Sequence, residues 1–281
     1  MLLKLQLHGL HYIMIRFFYT LLLAITLASC SPFQKALKTD DVKLKYETAE
    51  QLYEKGKYAK AIRLFEQIAP SYRGKPQAEK MFYMYATALY KTKSYYTAGY
   101  QYESFVSSYP RSTKAEEAAF YSAKSYYFLS PRYSLDQVDT YKALEKLQGF
   151  IDRYPNSQQM PEANQLVKEL SYKLEKKAFE IAKQYFDTAD YFGDYTAAQK
   201  TLENFMLDFP GTELREDAMF LKFDASYRYA MNSVESKMEL RLNMAKKDYN
   251  DLIKYRADTK YKAEADKMFE RITTELQKFS K

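Results

Sequence analysis

The one cysteine of the chain, Cys30, follows Leu27-Ala28-Ser29 at the end of an apolar run from Phe17 to Leu27, with Arg16 just ahead of it. A charged start, a short apolar core and small residues before a cut are the parts of a secretory leader. A bilayer span needs about 20 apolar residues, and this run is too short for one. Met14-Ile15-Arg16 opens a more typical leader than Met1, so residues 1–13 read as an upstream extension. The chemistry to expect at Cys30 is therefore attachment, at the first position that survives cleavage.

Leu27-Ala28-Ser29-Cys30 resembles the lipobox of a bacterial lipoprotein. That resemblance implies cleavage before Cys30, a diacylglycerol on its thiol and an acyl chain on the new amine. One chain binds membranes marginally and several anchor stably. Ser31, rather than an aspartate, follows the cysteine, which implies sorting to the outer membrane. Residues 31–39 carry no acidic side chain, unlike the export tags of surface-displayed lipoproteins. The expected location is the outer membrane, lipid-anchored and facing the periplasm.

Little other chemistry remains. His8 and His11 lie in the leader, so the mature chain has no imidazole and no Trp. It lacks the usual general base near neutral pH, a Cys/His zinc set, a free thiol nucleophile and any internal disulfide. The closest carboxylate pairs, Glu116 with Glu117 and Asp187 with Asp190, have no partner constellation and read as solvated helix surface. No phosphate loop, nucleophile elbow or HExxH motif occurs. We expect no enzyme, no metal and no cofactor beyond the lipid on Cys30. The net charge of +7 is interspersed along the chain, and export makes nucleic acid an unsuitable partner.

What could position binding groups is a repeat. The chain holds 29 Tyr and 18 Phe but seven Gly, and no Pro/Gly/Ser linker divides it. Tyr46, Tyr83 and Phe120 are spaced by 37 residues; so are Ala49, Ala86 and Ala123, and Tyr53, Tyr90 and Tyr127. A fixed period of this size signals a helical array. Phe82-x2-Tyr85-Ala86-x2-Leu89, then Ala98-x3-Tyr102, then Pro110, resembles the tetratricopeptide repeat (TPR). Alanines let paired helices approach closely, and large residues at Phe65 and Tyr102 fill the space to the next pair. Tyr109-Pro110, Tyr154-Pro155 and Phe209-Pro210 stop the second helix of a pair, because Pro disfavours helix at the residue before it.

The reading is all-α: a TPR-like α-solenoid of five helix pairs plus a C-terminal capping helix. Its parts are a leader over 1–29, a lipidated tether over 30–40 and a solenoid over 41–281. The pairs fall near 41–72, 76–109, 113–154, 161–209 and 213–255, with the cap near 259–279. Ala123 to Ala143 and Ala225 to Ala245 are each 20 residues apart, against 12 for Ala49 to Ala61. Pairs three and five are therefore expected to carry an eight-residue insertion between their helices. Thr113-x2-Glu116 and Ser134-x2-Gln137 read as capping boxes.

Two aromatic columns recur on the first helices of the first three pairs: Tyr46, Tyr83, Phe120 and Tyr53, Tyr90, Tyr127. Tyr combines a large apolar area with a polar tip and few rotors, which suits binding of extended peptides. The same spacing also suits rings that pack between helices.

Over about residues 30–255 the chain resembles the BamD family, the TPR lipoproteins of the outer-membrane β-barrel assembly (BAM) machinery. The resemblance rests on the lipobox, the five pairs and local segments: Tyr53-x2-Gly56-Lys57-Tyr58-x2-Ala61, Tyr154-Pro155-Asn156-Ser157-Gln158 and Asp208-Phe209-Pro210-Gly211-Thr212. It implies N-terminal pairs that receive unfolded outer-membrane proteins, with Tyr46, Tyr53, Tyr83 and Tyr90 lining the groove. It also implies C-terminal pairs that dock on a POTRA domain of a BamA-like β-barrel insertase, through helix 195–208 with Lys200 and Thr201 near its centre. Thr201 departs from the family, which has a basic residue there. Two other roles fit the same features: a glycan-binding outer-membrane lipoprotein, and a generic periplasmic TPR scaffold for cell-wall complexes. The absence of Trp weighs against the first.

Overall fold

A computed structural model describes residues 32–280. Cys30 and the leader lie outside the described residues. The chain is all-α, with no strand among the described residues, and has the arrangement of a TPR-like solenoid. The helices are α1 (Pro32–Lys38), α2 (Val42–Glu54), α3 (Tyr58–Tyr72), α4 (Ala78–Lys91), α5 (Tyr95–Ser108) and α6 (Ala115–Leu129). They continue as α7 (Val138–Arg153), α8 (Met160–Phe192), α9 (Tyr195–Asp208), α10 (Arg215–Met231), α11 (Glu235–Tyr255) and α12 (Lys262–Leu276). Five pairs run from α2/α3 to α10/α11, and α12 closes the array.

Local chemistry sets the ends. Asp41 caps α2 by accepting from the Lys43 and Leu44 amides, and Asp194 caps α9 by accepting from Ala197. α5, α7 and α9 each end two residues before Pro110, Pro155 and Pro210. Gly56 and Gly193 supply the left-handed turns at φ +68° and +70°. Lys93, one period after Gly56, takes the same turn at φ 61°, where a side chain costs about 1–2 kcal/mol.

Two capping boxes are not formed as read. Ser112, not Thr113, accepts from Lys114 N ahead of α6. Gln137 is buried and donates to the carbonyls of Arg132 and Leu135, while Asp136 accepts from Val138 N. Gln137 thus ties down the loop between α6 and α7 rather than facing back to Ser134.

The described residues form two compact units, 32–129 with 145–163, and 130–144 with 164–280. In the first, Ala49, Ala61, Ala86 and Ala98 are fully buried where helices cross, around Leu64, Phe65, Met81 and Tyr102. Residues 32–38, read as part of a tether, instead fold as α1 and bury Phe33 and Ala36 in the core of the first pair. Phe33 and Ala36 are three residues apart and so share one face of α1.

In the second unit, Ala182, Ala198, Ala225 and Ala245 repeat the small-residue crossings. The extra residues of pair five are not a loop. Only residues 232–234 separate α10 from α11, so the insertion lengthens α11 by about two turns before its crossing alanine. In pair three the extra residues do form the loop 130–137.

The C-terminal cap is held by a buried carboxylate. Glu216 on α10 accepts from the Thr259 hydroxyl at 2.6 Å, the Lys260 amide at 3.0 Å and the Arg256 guanidinium. Phe220 stacks on Tyr261 at 3.9 Å, and Tyr249 on Phe269 at 4.0 Å. The Thr259 hydrogen bond, against the opposing effect of burial and with help from Lys260 and Arg256, holds the Glu216 carboxyl below the usual glutamate value of 4.5. Glu216→Ala strips three donors of their acceptor and should cost about 2–3 kcal/mol. Because the folded carboxyl is the stronger acid, its contribution is complete above the unfolded value and is lost as pH falls through the folded one. Urea midpoints of the two proteins should therefore differ at neutral pH and draw together as the pH falls below the usual glutamate value and through the folded one. An equal gap at every pH would contradict this assignment.

Candidate peptide-binding face and docking surface

The first unit presents a continuous set of half-buried tyrosines. Tyr53 on α2 lies edge-on to Tyr58 at 5.5 Å. Tyr90 on α4 meets Tyr121 of α6 at 5.0 Å, Tyr95 at 5.6 Å and Phe128 at 6.2 Å. Tyr95 stacks on Phe128 at 4.5 Å, and Phe128 remains 42% exposed. Beneath them Tyr102 is buried, stacks on Tyr121 and donates to the Thr87 hydroxyl at 3.0 Å. Tyr83 packs on Tyr102 and Phe105, with Lys114 over its ring at 5.4 Å.

The expected columns divide. Tyr53, Tyr83, Tyr90 and Tyr127 keep partial exposure on this face or beside it. Tyr46 and Phe120 do not line a groove. Tyr46 is buried, stacks on Tyr72 at 5.1 Å and bonds Glu50, while Phe120 is 2% exposed and packs on Phe150 at 5.4 Å. In pair three the ring beside Tyr90 is Tyr121, one residue on, because α6 turns Phe120 toward α7. The doublet Phe120-Tyr121 was the available signal, and spacing could not choose between its members.

The polar tips are neutral donors. Burial, reinforced by the Glu117 carboxylate that accepts from it, pushes the Tyr83 hydroxyl far above the ordinary tyrosine value. Burial does the same for Tyr90 and Tyr102, and raises Tyr53. Tyr46 is pushed up to about 12 by burial and Glu50. Burial works to raise Glu117, but hydrogen bonds from Lys114 and Tyr83 outweigh it and hold that carboxyl low. The face thus offers apolar rings with hydroxyls that stay protonated, set beside a Lys114–Glu117 ion pair at 2.7 Å. Such a surface can bury side chains and hydrogen-bond a main chain.

In the second unit Lys200 is exposed on α9 and pairs with Glu203 at 3.2 Å. It borders a cleft of about 510 Å³ shared with Lys222, Lys247 and Asp248 of α10 and α11. A second cleft of about 500 Å³, next along α9, adds Leu207, Met219 and Tyr255. Leu207 is 69% exposed. Thr201 is half-buried, and its hydroxyl donates to the Ala197 carbonyl of its own helix at 2.8 Å. The structure therefore places Lys200 on an open charged and apolar surface, with Thr201 turned to the helix backbone.

Residues 38–193, more than half of the chain, match the YfiO family, described as outer membrane lipoprotein. The chain belongs to that family. The match contains the whole tyrosine face and stops at the Gly193 turn, so α9 and the cap lie beyond it. The chain is also similar to the putative outer membrane protein assembly factor BamD of Aquifex aeolicus, 27% identical over 203 residues, 69% of this chain and 63% of that protein. It is similar to outer membrane protein assembly factor BamD of Caulobacter vibrioides, 24% identical over 168 residues, 58% of this chain and 55% of that protein. The match thus spans less than two thirds of either relative's length. Both are named as assembly factors.

Proposed function

We propose that this outer membrane lipoprotein is the TPR subunit of a β-barrel assembly complex, a receptor for nascent outer-membrane proteins that docks on a POTRA-bearing, BamA-like insertase. The observation that carries the reading is the coincidence of the family match with the tyrosine face of the first three pairs. A strand-like segment ending in an aromatic residue would lay its side chains among Tyr53, Tyr90, Tyr121 and Phe128. The hydroxyls of Tyr53 and Tyr90 would hydrogen-bond its main chain. Weak contacts of this kind release a substrate in transit. Lys200 and the apolar rim at Leu207 and Tyr255 would meet the insertase, with Thr201 contributing by shape alone. A lipid on Cys30 would hold the chain on the periplasmic face.

Tyr53→Phe with Tyr90→Phe keeps the rings and removes the tips. Two neutral hydrogen bonds at about 1 kcal/mol each predict roughly ten- to thirtyfold weaker binding of a strand-length peptide with a terminal aromatic. Fluorescence anisotropy of the labelled peptide measures it, and an unchanged affinity would count against the face. Purification from detergent-solubilised membranes should recover a POTRA-bearing barrel. Recovery with cell-wall enzymes instead would replace this reading by the scaffold.

A further inference from the structure

We propose that α1 and the start of α3 form a seat for anionic phospholipid headgroups, which lays the first helix pair on the leaflet that carries the lipid. The proposal rests on lipidation of Cys30. Phe33, three residues after Cys30, is 6% exposed in the core of the first pair. Three residues reach at most about 11 Å, so a lipid on Cys30 leaves no free tether, and the folded pair must lie against the headgroups.

The side chains at that point are cations. Lys35 and Lys38 of α1 are exposed and border a cleft with Leu44 and Thr48 on α2. On the other side of α1, Lys60 and Arg63 of α3 lie over the Phe33 ring at 5.4 and 5.7 Å, and both are exposed. The neighbouring acids are engaged elsewhere. Asp41 caps α2, Glu47 faces Lys43 at 4.0 Å, and Glu66 takes the Tyr85 hydroxyl. Asp40 lies two residues past the end of α1. A basic cluster beside an acyl anchor is the two-signal arrangement that holds a protein firmly and in one orientation. Each cation near an anionic leaflet contributes about 1 kcal/mol.

The test uses the mature lipidated protein, purified from its membranes and reconstituted in phosphatidylcholine vesicles or in an equal mixture with phosphatidylglycerol. Lysines are acetylated for a short time and read by mass spectrometry. Lys35, Lys38 and Lys60 should label roughly fivefold more slowly on the anionic vesicles, and high salt should abolish the difference. The K35Q/K38Q/K60Q/R63Q variant should leave Lys43 and Lys57 equally reactive on both lipids. Equal labelling of the three lysines on both lipids overturns the seat. The N-terminal peptide of the same digest reports the mass on Cys30. An unmodified thiol there overturns the anchor and the seat with it, whereas a lipidated Cys30 with unprotected lysines overturns the seat alone.

Discussion

Tyr102→Ala should lower the stability of the first unit by about 3–5 kcal/mol, the usual cost of emptying a large aromatic from a core. Tyr102 is 1% exposed and touches the rings of Tyr83, Tyr90 and Tyr121. Its removal leaves a cavity under the whole tyrosine face, so peptide binding should fall with it. Tyr102→Phe keeps the ring and loses only the bond to Thr87, at about 1 kcal/mol. Urea unfolding followed by tyrosine fluorescence separates the two. A Tyr102→Ala loss no larger than that of Tyr102→Phe would mean that the ring is not the support of this face.

Cys30→Ala should abolish lipid anchoring in the outer membrane. The variant has no thiol to receive a diacylglycerol and, by the lipobox logic, no cleavage site. If Cys30 carries the acyl chains that the lipobox implies, their burial at about 0.8 kcal/mol per CH₂ supplies stable attachment, and the variant loses all of it. Labelling cells with a clickable palmitate should mark the natural chain and leave the variant dark. Density-gradient fractionation should move the variant out of the outer-membrane band. A natural chain that takes up no palmitate would remove the anchor, and co-fractionation of the variant would show that another contact holds the protein.

The helices and their ends were legible in the sequence because they follow short-range rules. Pro110, Pro155 and Pro210 forbid continuation of a helix, Gly56 and Gly193 take a backbone angle that side chains resist, and alanine columns mark close crossings. Which ring faces out was not legible. One residue turns a side chain by about 100° around a helix, so Phe120 and Tyr121 exchange core and surface, and the packing of Phe150 decides between them. Tyr46 is consigned to the core in the same way, by Tyr72. The insertion in pair five was visible as spacing, but a longer α11 and a loop have the same length in sequence.

From its sequence alone the chain reads as a leader, a single attachable cysteine and an all-α array, since composition and period are properties of the string. Tertiary structure decided that residues 32–38 dock, that Glu216 gathers donors from 40 or more residues away, and that Tyr90 and Tyr121 share one face. These depend on contacts between residues distant in the chain. Their geometry is set by how neighbouring helix pairs pack, which no local rule encodes.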